Sequence, residues 1–387
     1  MFGSVARSRH RAGTVTGGVV VVLFAAAVVS PSASARVSSA PGADPAGHAL
    51  VAHTILRGAG LGLSKPDDVT RIGNRLFVAF QNGVPSAGGT PGTTPTESTV
   101  VEFDTTGKVF QRLQLTGKVD GMTADAEHHR LIATVNEDGN SSLYTLGVDG
   151  KAGVAHYTYD ANPLPHGGGT DSITLSQDQI YIAASAPAAG TFGPAVYQVT
   201  LADGVAHLAA APFYDSSTAA LANTGGGNKT VSLALTDPDS STVVPPDSPR
   251  FAGALELTSQ GDQQQIFATH PGTDEQKLQV LNITQSVNDT AWSTAGAGAL
   301  VATDSTNDAV VLITGTFSSG TAYTAVTPAG ANNAPPAPGP NYLGSINLNT
   351  GTVTPVSTTG DNVQPGGLIF LPANKTDHRD NRQHGHQ

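Results

Sequence analysis

The sequence contains no cysteine, and charged and aromatic side chains are scarce, at 13 % and 5 %. The lack of cysteine excludes disulfides, a thiol nucleophile, thiolate metal sites and a lipoprotein anchor, so packing alone must hold the fold. Long Glu/Lys/Leu-rich helical stretches are absent. No Gly-x-Ser-x-Gly elbow occurs, which argues against the usual esterase layout. Neither Gly167-Gly168-Gly169 nor Gly225-Gly226-Gly227 opens a helical pattern, so a phosphate cradle is not indicated. Positive charge is in deficit: the formal net charge is −11, and removing Arg7, Arg9 and Arg11 with the leader takes it to −14. Such an acidic surface repels phosphate backbones and excludes nucleic acid as a partner.

The first 35 residues read as a secretory signal. A basic start is followed by an unbroken apolar run, Val19 to Val29, and then by the small residues Ala33-Ser34-Ala35. The run is too short for a spanning helix of roughly 20 apolar residues, and no second such stretch follows. The expectation is a cleaved leader (1–35) and a secreted, extracellular, monomeric protein with no membrane segment after cleavage. Residues 36–48 are rich in Ser, Ala, Pro and Gly and read as a flexible lead-in. Residues 375–387 form a polar tail with His378, His384 and His386, expected to be disordered.

The body (49–374) has many turn formers, 45 Gly and 25 Pro, scattered among short β-branched runs. That composition indicates many short strands. A weak repeat runs through it. Pro66 to Leu115 contains four strand-like runs, and the order recurs twice more. Asp67-Asp68-Val69, Asp120-Gly121-Met122 and Asp171-Ser172-Ile173 mark the starts, 53 and 51 residues apart. Later starts are less regular: FAGALELTSQGDQQQIFAT, NDTAWSTAGAGALVATDST and the closing PGGLIFLP, with insertions near 222–250 and 329–340. Four antiparallel strands at this period make the blade of a β-propeller. The predicted fold is therefore all-β, a propeller of six blades, with seven as the alternative count and two successive β-sandwiches as the rival fold. The C-terminal GLIFLP is expected to be the inner strand of a blade whose outer strand is the N-terminal ALVAHTILRG, which ties the ends together.

The runs PDDVTRIGNRLFVAF and VATDSTNDAVVLIT resemble NHL-type blades. More broadly, the chain is similar to gluconolactonase-like and NHL-like propellers, in particular exported bacterial ones. That resemblance implies a divalent cation held by acid and amide ligands near the axis, polarising a lactone carbonyl and activating water. The sequence departs from the pattern, with Pro66-Asp67-Asp68 where an early Glu-Gly-Pro would stand. Asn288-Asp289-Thr290 is the nearest approach to the later Asn-Asp-Gly.

Propeller geometry selects one face for chemistry, because first-strand starts and second-strand ends meet at one mouth of the channel. The first set gives Asp67, Asp68, Asp120, Asp171 and Asp289, of which Asp67, Asp120, Asp171 and Asp289 are candidate ligands for Ca²⁺ or Mg²⁺. The second gives Asn82, Asn136, Glu137, His270 and Asp304 as candidate ligand-binding residues. The competing reading is that each Asp shapes a tight turn of its own blade. Asp237-Pro238-Asp239-Ser240 reads as a simple loop, with a cation site as the alternative, and His128-His129 as an exposed turn, with a metal role as the alternative. The function expected is binding of a small molecule or protein; the alternative is Ca²⁺- or Mg²⁺-dependent hydrolysis of lactones or related esters.

Overall fold

The computed structural model describes residues 49–148, 153–186, 193–209, 212–233, 235–328 and 339–373. The leader, the lead-in and the polar tail lie outside the described residues.

The fold is an all-β propeller. Among the described residues the strands pair into six four-stranded antiparallel groups. The first runs in chain order through Pro66–Ile72, Arg75–Phe80, Glu97–Phe103 and Val109–Thr116. The second and third begin at Val119–Asp125 and Thr170–Ser176 and repeat that order. Their outer strands, Val154–Tyr159 and Val205–Leu208, also pair in parallel and join the two groups into one sheet. Inner strands pack each on the next, and the last on the first, closing a ring.

Apolar alternation explains the stack. The second strand of a blade buries both faces against neighbouring blades, so it reads as a nearly continuous apolar run such as Leu76 to Phe80, all 1 % exposed or less. A separate hydrophobic cluster fills each gap. Phe77, Leu131 and Tyr144 sit between the first and second groups, and Ile182, Leu143 and Tyr197 between the second and third. Leu56, Val78, Val301 and Val310 seal the last group against the first. That seal uses both chain ends: Leu368–Pro372 is the inner strand, and Leu50–Arg57 pairs with Ala309–Thr316 as an outer strand of the same sheet.

Two readings of the later repeats require correction. In the fourth group the inner strand is Pro238–Val243, within the stretch taken as an insertion, and Leu255–Ser259 is the second strand. The long connection between them hides the blade start. In the fifth group the inner strand Val287–Trp292 pairs with Ala322–Val326, whereas Ala297–Asp304 pairs with Leu368–Pro372. The run from Asn288 to Thr306 is therefore shared by two neighbouring blades rather than starting one.

Candidate functional site

Five of the six inner strands carry an irregularity at their first turn of pleat. Register slips between Pro66 and Val69, Val119 and Gly121, Thr170 and Ile173, Pro238 and Ser240, and Val287 and Asp289. A β-bulge adds one residue and re-aims a side chain without disturbing the apolar alternation beyond it. The bulged positions hold Asp67, Asp120, Asp171, Asp239 and Asn288, followed by Asp68, Gly121, Ser172, Ser240 and Asp289. Two glycines allow the close approach of strands at this mouth. A Cβ on Gly121 would stand 2.7 Å from the Asp171 carbonyl oxygen, and one on Gly367 2.5 Å from that of Asp67.

These residues surround an axial cavity of about 280 Å³ to which all six inner strands contribute. Asp67, Asp68, Asp120, Asp239 and Asp289 line it. The rest of the wall mixes hydroxyls, including Thr70, Thr123, Thr174 and Thr242, with apolar side chains such as Val69, Met122 and Ile173. Asp171 does not line the cavity; it lies behind the wall at 3 % exposure.

The carboxylates divide by their partners. Lys118 Nζ lies 2.7 Å from Asp120 Oδ1 and also pairs with Glu137. Burial works against the Lys118 charge, but these two carboxylates outweigh it and hold the ammonium well above its ordinary range. Gln81 Nε2 donates to Asp67 Oδ2 at 2.7 Å, to the Val119 carbonyl at 2.9 Å and to Asp120 Oδ1 at 3.3 Å. Asp68 accepts from the backbone N–H of Val69 (2.7 Å) and Met122. Asp239 Oδ2 accepts from Gln260 Nε2 (2.7 Å) and Asn288 Nδ2, and Asp289 accepts from the N–H of Thr290 (2.7 Å) and Leu368 (2.6 Å). Among the described residues, Asp120 is the one carboxylate of the cavity wall with a cationic partner in contact.

Burial and mutual repulsion raise the whole set. Burial pushes Asp67 and Asp289 up to about 6; Lys118 restrains the rise at Asp67, and backbone N–H groups restrain it at Asp289. Asp68 is raised well above the ordinary range by burial, then by Asp289 and Asp67. Asp239 is raised by burial, then by Asp237 and Asp67, and Asp171 by burial, then by Asp239. Asp120 is raised by burial, then by Glu137. Asp237 is pushed up to about 6 by burial and then by Glu137, Asp262 and Asp138. Such groups can share protons, accept donors from a ligand or act as general acids near neutral pH.

Of the nine residues predicted from sequence, the structure brings Asp67, Asp120 and Asp289 to the cavity wall and Glu137 beside Asp120, through Lys118. Asn82 and Asn136 occupy left-handed turns (φ 55° and 67°), the conformation that Asn tolerates. Their side chains are spent on the backbone: Asn82 Oδ1 accepts from Ser64 N, and Asn136 Oδ1 accepts from Lys118 N. Asp304 is fully buried and caps its own turn, accepting from Asn307 and from Gln364 N. His270 is misplaced by the shifted fourth blade. It follows the third strand, Gln264–Thr269, whose end lies at the opposite face from the Asp239 mouth, and it is exposed. Sequence reasoning passed over Gln81 and Gln260 and took Asp239 for a loop residue. The Pro-Asp pair shared by Pro66-Asp67 and Pro238-Asp239 is the signal that marks the first.

Among the described residues no group of three or more His, Asp or Glu is placed to hold one metal ion. The carboxylates line a wall and do not converge on a point.

No family model and no curated protein matches the chain. Solved structures similar to it include a Bacteroides uniformis protein provisionally named a 6-phosphogluconolactonase (13 % identity, TM-score 0.39, covering 77 % of this chain and 85 % of that one). They also include the Myceliophteria thermophila Cps50 (Swd1) β-propeller domain (14 %, TM-score 0.38, 78 % and 97 %) and Kuenenia stuttgartiensis hydrazine synthase (14 %, TM-score 0.38, 79 % and 68 %). Among the described residues no helix is long and apolar enough to cross a membrane.

Proposed function

We propose that the protein is a binding propeller that holds a small polar molecule in the axial cavity. One observation carries this reading: every inner strand contributes to a single polar cavity whose carboxylates keep unsatisfied acceptor capacity. Small-molecule sites are concave, few per protein, and marked by convergent polar groups with perturbed ionisation. At about 280 Å³ the cavity falls at the small end of the usual range, which suits a compact ligand. With residues 1–35 acting as a secretion signal, that ligand is met outside the cytoplasm.

Hydrolysis is a second use of the same carboxylates. Asp67 and Asp289, at about 6, fall in the range of a general acid. Ca²⁺ or Mg²⁺ would need side chains to move together before three of them could share one ion.

A ligand-observed NMR screen of small polar compounds tests the reading, run on the protein and on Asp239→Asn. Binders that are lost in the variant support it, and turnover of any binder would make the site catalytic. A screen with no binders, or with binders indifferent to Asp239, overturns it.

A further inference from the structure

The gap between the fourth and fifth blades is packed with apolar side chains such as Phe267, Val287 and Trp292, and it also holds a polar group shut off from solvent. Glu256, Thr258 and Gln265 come from the second and third strands of the fourth blade. Thr258 pairs with Gln265, and Glu256 stands two residues before Thr258. Residues two apart on a strand share a face, so all three side chains lie on the side of the fifth blade. Thr290 and Trp292, two apart on the inner strand of that blade, meet them. Gln265 Nε2 donates to Thr290 Oγ1 at 2.9 Å, and Trp292 Nε1 donates to Glu256 Oε2 at 2.5 Å. Glu256 and Gln265 are 1 % and 0 % exposed. Two acceptors are left over: Glu256 Oε1 and Gln265 Oε1 have no hydrogen-bond partner among the described residues. Buried polar atoms are ordinarily paired.

A carboxylate cannot fill this deficit, because it brings acceptors alone. A carboxylic acid can, because its O–H donates. One proton on Glu256 Oε1 makes that oxygen a donor and offers Gln265 Oε1 the donor it lacks. No cation does this work instead: among the described residues Glu256 forms no ion pair. The ionisable groups on the strands packed around it are Asp239 on Pro238–Val243 and Asp289 on Val287–Trp292, neither of which can neutralise it, and Gln264–Thr269 carries none. Tyr342 packs at the margin of the gap, and Arg250 stacks on Phe251 while donating to the Leu348 and Ala222 carbonyls. We propose that Glu256 stands as the neutral acid, its proton shared with Gln265 Oε1, and that loss of this proton to solvent unlatches the fourth blade from the fifth. Burial, which pushes the carboxyl up to about 8, sets the switch just above neutrality. The strand that carries Trp292 also carries Asn288 and Asp289 to the axial cavity, so loosening the latch frees one strand of the cavity wall.

Trp292 is the one tryptophan of the chain, so its emission reports this seam directly. The test is a fluorescence titration of the protein from about pH 6 to about pH 9.5, with acrylamide quenching at each point and far-ultraviolet circular dichroism alongside. The expected result is a single transition with its midpoint near pH 8. Quenching should rise at least about threefold across it while the circular dichroism stays constant, the mark of local rather than global opening. Glu256→Gln cannot ionise and should show neither change. If that variant does not fold, hydrogen exchange of the wild type, corrected for the intrinsic rate at each pH, carries the test. Amides of Leu255–Ser259 and Val287–Trp292 should then lose protection across the transition, and those of Arg130–Val135 in the second blade should keep it. Absence of a transition between about pH 7 and about pH 9, a transition that persists in Glu256→Gln, or protection lost evenly from all blades overturns the latch.

Discussion

Replacing Glu256 by glutamine should flatten part of the pH dependence of stability. Glu256 lies on the second strand of the fourth blade, 1 % exposed, against the fifth. Trp292 Nε1 donates to its Oε2 at 2.5 Å, while Oε1 has no hydrogen-bond partner among the described residues. Burial pushes its pKa from 4.5 up to about 8, opposed by the Trp292 hydrogen bond and assisted by the nearby Asp289. The folded protein therefore holds a proton that the unfolded chain gives up above about pH 4.5. Folding takes up that proton between about pH 4.5 and 8, so the Glu256 contribution to stability declines across this window and levels off above it. The shift of about 3.5 pH units at 1.36 kcal/mol each sets an upper bound of about 5 kcal/mol on the decline. Glutamine cannot ionise and keeps an acceptor for Trp292. The assay is urea denaturation of both proteins at pH 5, 6.5 and 8. Other raised carboxylates tilt both curves alike, so the difference isolates Glu256. The variant should gain on the wild type by several kcal/mol from pH 5 to pH 8. A difference constant to within about 0.5 kcal/mol would refute the reasoning and mean that Glu256 titrates as an exposed acid.

Three further outcomes follow from the packing. Gly121→Val should lower stability by about 1–3 kcal/mol in thermal or urea melts, because its Cβ would meet the Asp171 carbonyl oxygen at 2.7 Å and the Ser172 Cα at 2.9 Å. Lys118→Met strips Asp120 and Glu137 of their cation and should cost about 3 kcal/mol at pH 7.5. The cost should shrink toward pH 5 as Asp120, whose carboxyl is raised by burial and Glu137, takes up a proton. Deleting residues 1–57 removes the strand that pairs with Ala309–Thr316 and bares a long edge, so the truncated chain should lose cooperative unfolding and aggregate on gel filtration.

The first three blades were legible because their inner and second strands are joined by short turns. A local pattern then repeats, and Asp67, Asp120 and Asp171 stand out. The closure by Leu50–Arg57 and Leu368–Pro372 was legible because a propeller must seal its last edge. The fourth blade was not, because Asp239 follows Asp171 by 68 residues and eleven residues separate its inner strand from Leu255. The fifth and sixth exchange strands: Val287–Trp292 finds its partner beyond an intervening hairpin. Local periodicity carries no information about such a choice, since both candidate partners are equally apolar. The site divides on the same physics. Aspartates at strand starts could be found from position, but whether an amide turns inward or caps its own backbone depends on the bulge. Gln81 and Gln260 therefore escaped notice while Asn82 and Asn136, both left-handed turn residues, were chosen.

The most direct measurement is a crystal structure of the protein grown with a binder from the ligand screen. The account predicts density for that binder on the axis, within hydrogen-bond distance of Asp67 or Asp239. Density for the binder only elsewhere on the surface, or an axial cavity holding water alone at saturating binder, would contradict it.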